Sequence, residues 1–545
     1  MRGDPARRGR AAGFLALAAR RPEGPLGVGA APLRPRDSAL RDLAGAGIVA
    51  ALTFVVFLPT VANGWVAWDD DTNFLANPHY RGLGTAQLAW MLTDRHAHYM
   101  PLTWLTLGLD YVLWGMNPAG YHLTSIVLHA ANAGLVSLVA LRLMRLALPG
   151  AGGAALRTGS GLAALLFAVH PLRVESVAWV TERRDVLCGI FYLLTLLAYL
   201  RYCRAGRRVA YATSLALFAC ALLSKSMAMT LPVVLLLLDA YPLGRRAWRE
   251  KIPFFVLSAV AAVLAVIAQR TAGAMVALGL LQRIAIAVYA LVFYLLKALV
   301  PAGLAPMYEL PEWIDPTGWR YLASGAVVAA LSALAVAIRG RWPAFSVAWA
   351  CYVVTVLPVS GLVQVGSQLA ADRYTYLPLI AVAVLAGGGL ARCWAARPAL
   401  GGVAAVAGGV VIAVLSVLTP KQILVWRDGE TLWTHALSTS PSATAHVKLG
   451  GIRDAQGRLD EAIIHYREAL RIRALTPDAY NGWGIALALQ GEWGQAVERY
   501  ERALAIRPLS AEVHANLATA LGQLGRHREA AMHAEIARAI EAERK

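Results

Sequence analysis

Long apolar runs separated by short polar or basic turns fill the chain from about residue 45 to residue 418. A different pattern, amphipathic and periodic, follows at 443–540. A bilayer core needs about 20 mostly apolar residues per helix. Runs of that kind lie at 45–62, 121–141, 158–178, 186–202, 209–224, 227–243, 252–269, 321–338, 343–361, 376–392 and 399–418. The pattern predicts about eleven spans. The run at 284–300 is apolar too, but Gln282, Arg283 and Lys297 sit in it or beside it. If it crossed, the later basic loops would fall on the wrong side, so it is read as a re-entrant or interfacial helix on the outer face. Segment 104–114 contains Asp110 and is too short to span. It reads as a helix lying along the membrane within a first outer loop, 64–118, with Trp104, Tyr111 and Trp114 at headgroup level.

In the C-terminal part, Gly457, Gly491 and Gly525 recur with a 34-residue period, as do Ala462, Ala496 and Ala530, and Ala469, Ala503 and Ala537. The second unit reads Tyr480…Trp483-Gly484…Ala496…Tyr500…Ala503…Pro508. This resembles the tetratricopeptide repeat, whose two helices cross at small residues and turn at glycine. Leu432-Trp433…Ala436-Leu437…Pro441 looks like half a preceding unit. The expected organisation is an all-α polytopic membrane helix bundle followed by an α-solenoid. Its parts are a disordered basic cytoplasmic tail (1–41), a membrane domain (42–420), a connecting helix or half repeat (421–442) and the repeats (443–545). The concave groove of such an array suits a protein or peptide.

Composition agrees with a membrane class: 58% of residues are hydrophobic and 15% charged, and mean hydropathy is +0.52. The net charge of +18 does not indicate nucleic acid, because no recognition motif accompanies it. The basic residues gather at 201–208, 245–251, 339–341 and 392–397, as in loops retained in the cytoplasm. An inside N-terminus and eleven spans put the repeats outside. The five cysteines lie in or beside apolar runs and suggest neither disulfides nor a zinc site. Cysteine usage and the Ala/Arg-rich composition favour a bacterial inner membrane, with the repeats periplasmic.

Ionisable residues at a membrane face invite functional readings. Asp69, Asp70 and Asp71 follow Trp65 and Trp68 and precede Phe74. Apolar neighbours desolvate a carboxylate and raise its pKa toward that of a useful general base. A solvated acidic run is the plainer alternative, and a carboxylate triplet could also hold a divalent cation weakly. His170, Arg173 and Glu175 close one apolar run, and Glu182, Arg183, Arg184 and Asp185 open the next. Arginine forks suit phosphate; a self-contained salt-bridge network is the alternative. Lys225 and Arg373 stand at similar outer edges, where Lys225 either snorkels or meets a lipid phosphate and Arg373 either pairs with Asp372 or does the same. His79, His96, His98 and Tyr99 decorate the first loop. There is no Walker loop, Rossmann fingerprint or nucleophile elbow, as fits a lipid-linked donor.

Asn63-Gly64-Trp65 through Asp71, Tyr99-Met100-Pro101-Leu102-Thr103-Trp104, His170 through Trp179, Glu182-Arg183-Arg184-Asp185, the Lys225 segment and Asp372-Arg373-Tyr374-Thr375-Tyr376 together resemble a known family. With the repeats, they are similar to the transmembrane tetratricopeptide-repeat O-mannosyltransferases of the cadherin-modifying type, and especially to their bacterial relatives. The resemblance implies a C-type glycosyltransferase fold. It also implies transfer of a sugar, mannose or another hexose, from a polyprenyl-phosphate donor to a hydroxyl, with inversion. The acceptor would be Ser or Thr of a protein held by the repeats. Matched by motif, the base is Asp69 or Asp70, with Asp71 a lesser candidate. The donor phosphate meets Arg184, Lys225 or Arg373, and His170, Arg173, Glu175, Glu182 and Asp185 lend support. The three consecutive aspartates and the few repeats depart from the animal members and leave the base and the acceptor open. A non-catalytic repeat scaffold for envelope assembly, a polysaccharide ligase or polymerase, and a transporter are the competing readings.

Overall fold

The protein is described by a computed structural model over residues 35–94, 98–271 and 276–543. Most of the expected tail, and His96, lie outside the described residues. Helix α1 (Pro35–Phe57) begins inside the stretch expected to be tail and continues through a 3₁₀ turn at Leu58–Ala62. Proline at a helix start removes only an N–H that has no partner there. The first loop contains α2 (Thr85–Thr93) and α3 (Pro101–Trp114). The membrane body continues with α4 (Pro118–Ala147), α5 (Gly153–Ala168), the short α6 (Val174–Ala178), α7 (Arg183–Ala205), α8 (Arg208–Ser224), α9 (Leu231–Ala240) and α10 (Ile252–Thr271). It ends with α11 (Leu280–Leu299), α12 (Trp319–Ile338), α13 (Pro343–Val356), α14 (Pro378–Ala396) and α15 (Pro398–Val425). A connecting helix, α16 (Gly429–Thr439), leads to three helix pairs: α17 (Ala443–Ala455) with α18 (Leu459–Ile472), α19 (Pro477–Leu489) with α20 (Trp493–Ile506), and α21 (Ala511–Gln523) with α22 (His527–Glu543).

Among the described residues, eight helices could cross a membrane by length and composition, and α5 with the segment Pro171–Ala178 adds a ninth, bent by 57°. Three shorter apolar helices lie at Arg208–Ser224, Ser226–Ala240 and Pro343–Val359. The chain is an integral membrane protein. Helix α11 is among the eight, yet its contacts keep it at one face. Near its start, Gln282 Nε2 donates to Ile314 O and Val276 N donates to Gln364 O. Near its end, His170 Nε2 meets Ala298 O at 3.0 Å, and His435 of α16 meets Leu304 O at 2.9 Å. Ile314 precedes α12, Gln364 follows α13, His170 marks the α5–α6 bend and α16 follows α15, so these contacts all lie where alternating helices emerge at one face. Length and composition thus give eight or nine spans among the described residues, against the eleven expected from the sequence; eleven is reached only if the three short helices also cross and α11 does not.

Helices α5 and α14 cross at Gly159 and Gly387, where a Cβ on Gly387 would stand 2.1 Å from Gly159 O. Small residues at such a crossing let backbones touch. One small strand pair, Tyr308–Glu309 antiparallel to Gln368–Ala370, was not expected from the sequence; it braces the segments flanking α12 and α13. In the repeats, Gly457, Gly491 and Gly525 have φ of +73°, +84° and +75°. That is the left-handed region glycine tolerates, and each sits between the two helices of its unit as the period predicts. Asp428 and Ser442 cap α16 and α17 through Thr431 N and Ala445 N. Trp433, Ala436, Ala445 and Leu449 belong to the same buried cluster as Phe57, Val136, Trp179 and Leu193. The first repeat and the membrane body therefore share one core.

Candidate active site

The loop after α1 is pinned to the far end of the membrane body. Asn63 Nδ2 donates to Ile423 O (3.2 Å), and Gly64 N donates to Arg427 O (2.8 Å). Trp65 packs against Phe74 and Tyr121. Trp68 stacks on Trp179 at 4.4 Å, lies 6.3 Å from Trp426, and meets Trp433 edge-on at 5.2 Å. Four indoles from three distant parts of the chain thus fix the strip from which the aspartates project. Such aromatic pairs contribute about 0.5–1.5 kcal/mol each beyond their burial.

The three aspartates then diverge. Asp70 is buried; its carboxylate accepts from Thr181 Oγ1 (2.7 Å) and from Val66 N (3.1 Å). Asp71 opens a single π turn, Asp71–Leu75, and accepts from Thr72 N. Asp69 is half-buried and accepts no side-chain hydrogen bond from a described residue. The triplet does not converge as a ligand set, and among the described residues no three His, Cys, Asp or Glu side chains gather in a way that could hold a metal ion.

Beside Asp69 lies a network centred on Glu182, whose carboxylate is fully buried. Arg184 Nε donates to Glu182 Oε2 at 3.0 Å, and Lys225 Nζ reaches Glu182 at 2.9 Å and Asp185 at 2.7 Å. Arg373 Nε approaches Glu182 at 3.1 Å, while its Nη1 and backbone N both bond to Glu175. Asp185 also accepts from Ser176 Oγ at 3.0 Å. The Arg373 guanidinium lies 5.6 Å from the Trp68 ring and 5.4 Å from that of Trp179. Three cations face three carboxylates, so the salt-bridge network exists. It is not saturated. Arg184 Nη1, Arg373 Nη2 and one Lys225 proton have no acceptor among the described residues.

These groups line a recess. Asp69 remains accessible although protein surrounds it, as does His98, which meets Gln269 at 3.2 Å. Desolvation pushes the Asp69 carboxyl up, while Arg184, Lys448 and Arg373 pull it back. Desolvation pushes Asp70 further, to about 7, against the Thr181 hydrogen bond. Desolvation and then Arg184 hold the His98 imidazole well below its usual range; Glu182, Lys225 and Arg373 also act on it. Lys448 comes from the first repeat helix, α17, and its Nζ donates to Trp68 O at 3.2 Å. The sequence carries no sign that a repeat lysine reaches this recess.

The structure thus brings together Asp69, Arg184, Lys225, Arg373, Glu175, Glu182 and Asp185, with Asp70 directly behind Asp69. It places three other candidates elsewhere. His170 is spent between Leu172 N and Ala298 O, anchoring the end of α11. Arg173 is buried against Phe167 and Tyr376 and bonds to Thr375 Oγ1 at 2.6 Å. Asp71 turns to its own helical turn. Arg183, counted in the same basic run, faces away and pairs with the buried Asp110 of α3 at 2.7 Å. That pair fastens the first loop to α7.

Comparison with known proteins adds two family matches. Residues 109–269 match a model described as dolichyl-phosphate-mannose-protein mannosyltransferase, and residues 452–491 and 484–525 match a TPR repeat model. Over 227 residues, 39% of this chain and 25% of the relative, the chain is 35% identical to Protein O-mannosyl-transferase Tmtc1 of Drosophila melanogaster. Over 521 residues, 83% of this chain and 58% of the relative, it is 27% identical to Protein O-mannosyl-transferase TMTC1 of Homo sapiens. The chain is thus similar to these O-mannosyltransferases but spans less than two thirds of either relative. Among solved structures, ArnT from Cupriavidus metallidurans bound to undecaprenyl phosphate overlays 88% of this chain and 81% of that one, at 14% identity and a TM-score of 0.35. At that score the overlay adds nothing to the fold described above.

Proposed function

We propose that the chain is a membrane glycosyltransferase that moves a hexose, mannose foremost, from a polyprenyl-phosphate donor to a hydroxyl of a polypeptide, with inversion. One observation carries this reading. Asp69 has an uncommitted carboxylate inside a recess whose cations retain unused donors, while its neighbour Asp70 is fully engaged. Asp69 is the base. It takes the proton as the acceptor oxygen attacks the anomeric carbon, and the bond from that carbon to the phosphate oxygen breaks. The leaving polyprenyl phosphate carries the negative charge. The open N–H groups of Arg184, Arg373 and Lys225 meet it, in a site where fixed donors act more strongly than in water. Asp70 holds the strip in place through Thr181 and Val66. The basic turns at the other end of the helices support a non-cytoplasmic side for the recess, and in a bacterium the periplasm. The relatives' names and the repeat array support a protein acceptor, with the array's concave side holding the polypeptide.

The test is transfer in isolated membranes, using polyprenyl-phosphate mannose and envelope polypeptide. Asp69→Asn is expected to abolish transfer in a protein that still folds; full activity in that variant would defeat the assignment of Asp69 as base, and no transfer by wild type would favour a non-catalytic scaffold. A saccharide acceptor modified in place of protein would point to a ligase.

A further inference from the structure

A second cavity does not include Asp69 among its lining residues. A cleft of about 820 Å³ runs along α14, from Leu377 at the recess side to Arg392, Arg397 and Leu400 at the opposite face. Its walls come from α4, α7, α9, α13 and α14, and no carboxylate lines it. Helix α14 has 19 residues, about 28 Å of rise, so the cleft follows most of a bilayer's apolar depth. Gly388 and Gly389 face it. A Cβ on Gly389 would meet nothing within 4 Å, and one on Gly388 only the Met144 methyl at 3.9 Å.

The far mouth is cationic in a way that the recess is not. Arg341, Arg392 and Arg397 all line the cleft and are exposed. None of the three forms an ion pair with a described carboxylate, whereas Arg184, Lys225 and Arg373 of the recess all do. Two helix N-termini open at the same mouth. Helices α13 and α15 start at Pro343 and Pro398, and neither Trp342 nor Arg397 caps its helix with a side-chain hydrogen bond. Uncapped N–H groups and the helix dipole favour an anion. Apolar walls, three unpaired guanidiniums and two helix starts describe one ligand chemistry: a phosphate attached to hydrocarbon chains.

We propose that this cleft binds an anionic phospholipid of the membrane leaflet on the basic side. Its phosphate lies on Arg341, Arg392 and Arg397, and its acyl chains lie along α14 past Gly388 and Gly389. Charge complementarity selects this occupant, because the leaflet facing basic loops is the one whose anionic lipids attract such pockets. The site does not depend on the transferase reading, and no residue of the recess takes part in it.

Native mass spectrometry of the purified full chain tests it, with phosphatidylglycerol and phosphatidylcholine of matched chains as probes. Wild type should retain phosphatidylglycerol over phosphatidylcholine by a factor on the order of 100. The triple variant R341Q/R392Q/R397Q should bring that ratio close to one, and R392Q alone should bring it part of the way. Gly389→Phe, which fills open space, should weaken both lipids together. The variants sit on exposed or empty positions, and melting curves will show that they fold. An unchanged ratio in the triple variant overturns the proposal. So does displacement of phosphatidylglycerol by undecaprenyl phosphate combined with loss of undecaprenyl phosphate binding in Gly389→Phe, which would give the cleft to a prenyl chain entering from the Leu377 end.

Discussion

Two clusters of buried ion pairs stand at opposite ends of the membrane body, and they behave differently. At the basic end, Lys251 of the turn before α10 bonds to Asp239, to Tyr199 and, at 3.1 Å, to Ala247 O. Its side chain is 0% exposed and that of Asp239 2%. All three ammonium protons are used. At the recess end, the Lys225 side chain is 13% exposed and makes two bonds, and Arg184 and Arg373 each keep a terminal nitrogen open. Residue types and burial hardly distinguish the two clusters. What separates them is whether a cation has a donor to spare. A saturated buried pair is a fastening, since removing one partner strands a charge in a poor dielectric. An unsaturated one can take up a third charge without first being taken apart.

The contrast can be broken or sharpened by substitution. The largest effect is expected from Asp69→Asn: the rate of transfer should fall roughly 10²–10⁴-fold, the range of a lost general base, with little change in melting temperature. A variant that lost stability instead would move Asp69 to the fastening class. Asp239→Asn should do the reverse. Stranding Lys251 should cost about 3–5 kcal/mol of stability, read in denaturant or thermal melts, while the KM for the donor in the folded fraction stays as in wild type. Arg184→Lys keeps the charge and loses the fork, so the KM for the lipid-linked sugar should rise about tenfold, equivalent to one charge-assisted hydrogen bond, with melting nearly unaltered.

Asp70 gives a smaller, pH-dependent effect. Its folded pKa of about 7 lies above the usual 3.8, so the folded state holds the proton more tightly than the unfolded one. The stability this provides is fully present below about 4 and is lost as pH rises through about 7, at up to ~1.4 kcal/mol per pH unit. Melts of wild type between pH 4 and 8 should show that fall, and Asp70→Asn should flatten it. Lys448→Met is the mildest change. Removing a cation lets the Asp69 carboxyl rise, so the acid limb of the activity profile should move to higher pH by less than about one unit.

Much of the architecture could be read along the chain. The 34-residue period located the turn glycines, and apolar run lengths located the long membrane helices. Each is a local or periodic property. The candidate site was legible as a set but not as an arrangement. Asp69 and Asp70 are neighbours in a run of identical residues, and Thr181, which is 111 positions away, joins Val66 N in engaging Asp70 and not Asp69. Lys448 lies 380 positions from Trp68, so no spacing rule could attach it. His170 and Arg173 were grouped with the cations because they are close in sequence. The bend between α5 and α6 turns them toward α11 and Tyr376 instead.

The quartet of indoles at Trp68, Trp179, Trp426 and Trp433 also bears on what happens when the molecule is cut. Two of the four lie beyond the start of the C-terminal turn of α15. A truncation before α16 would therefore do more than discard an adaptor: it would bare one side of Trp68 and loosen the very strip that holds Asp69. The solenoid and the bundle should melt in a single calorimetric transition, and under the proposed function a trimmed chain should be inactive even toward an acceptor too short to need the repeats.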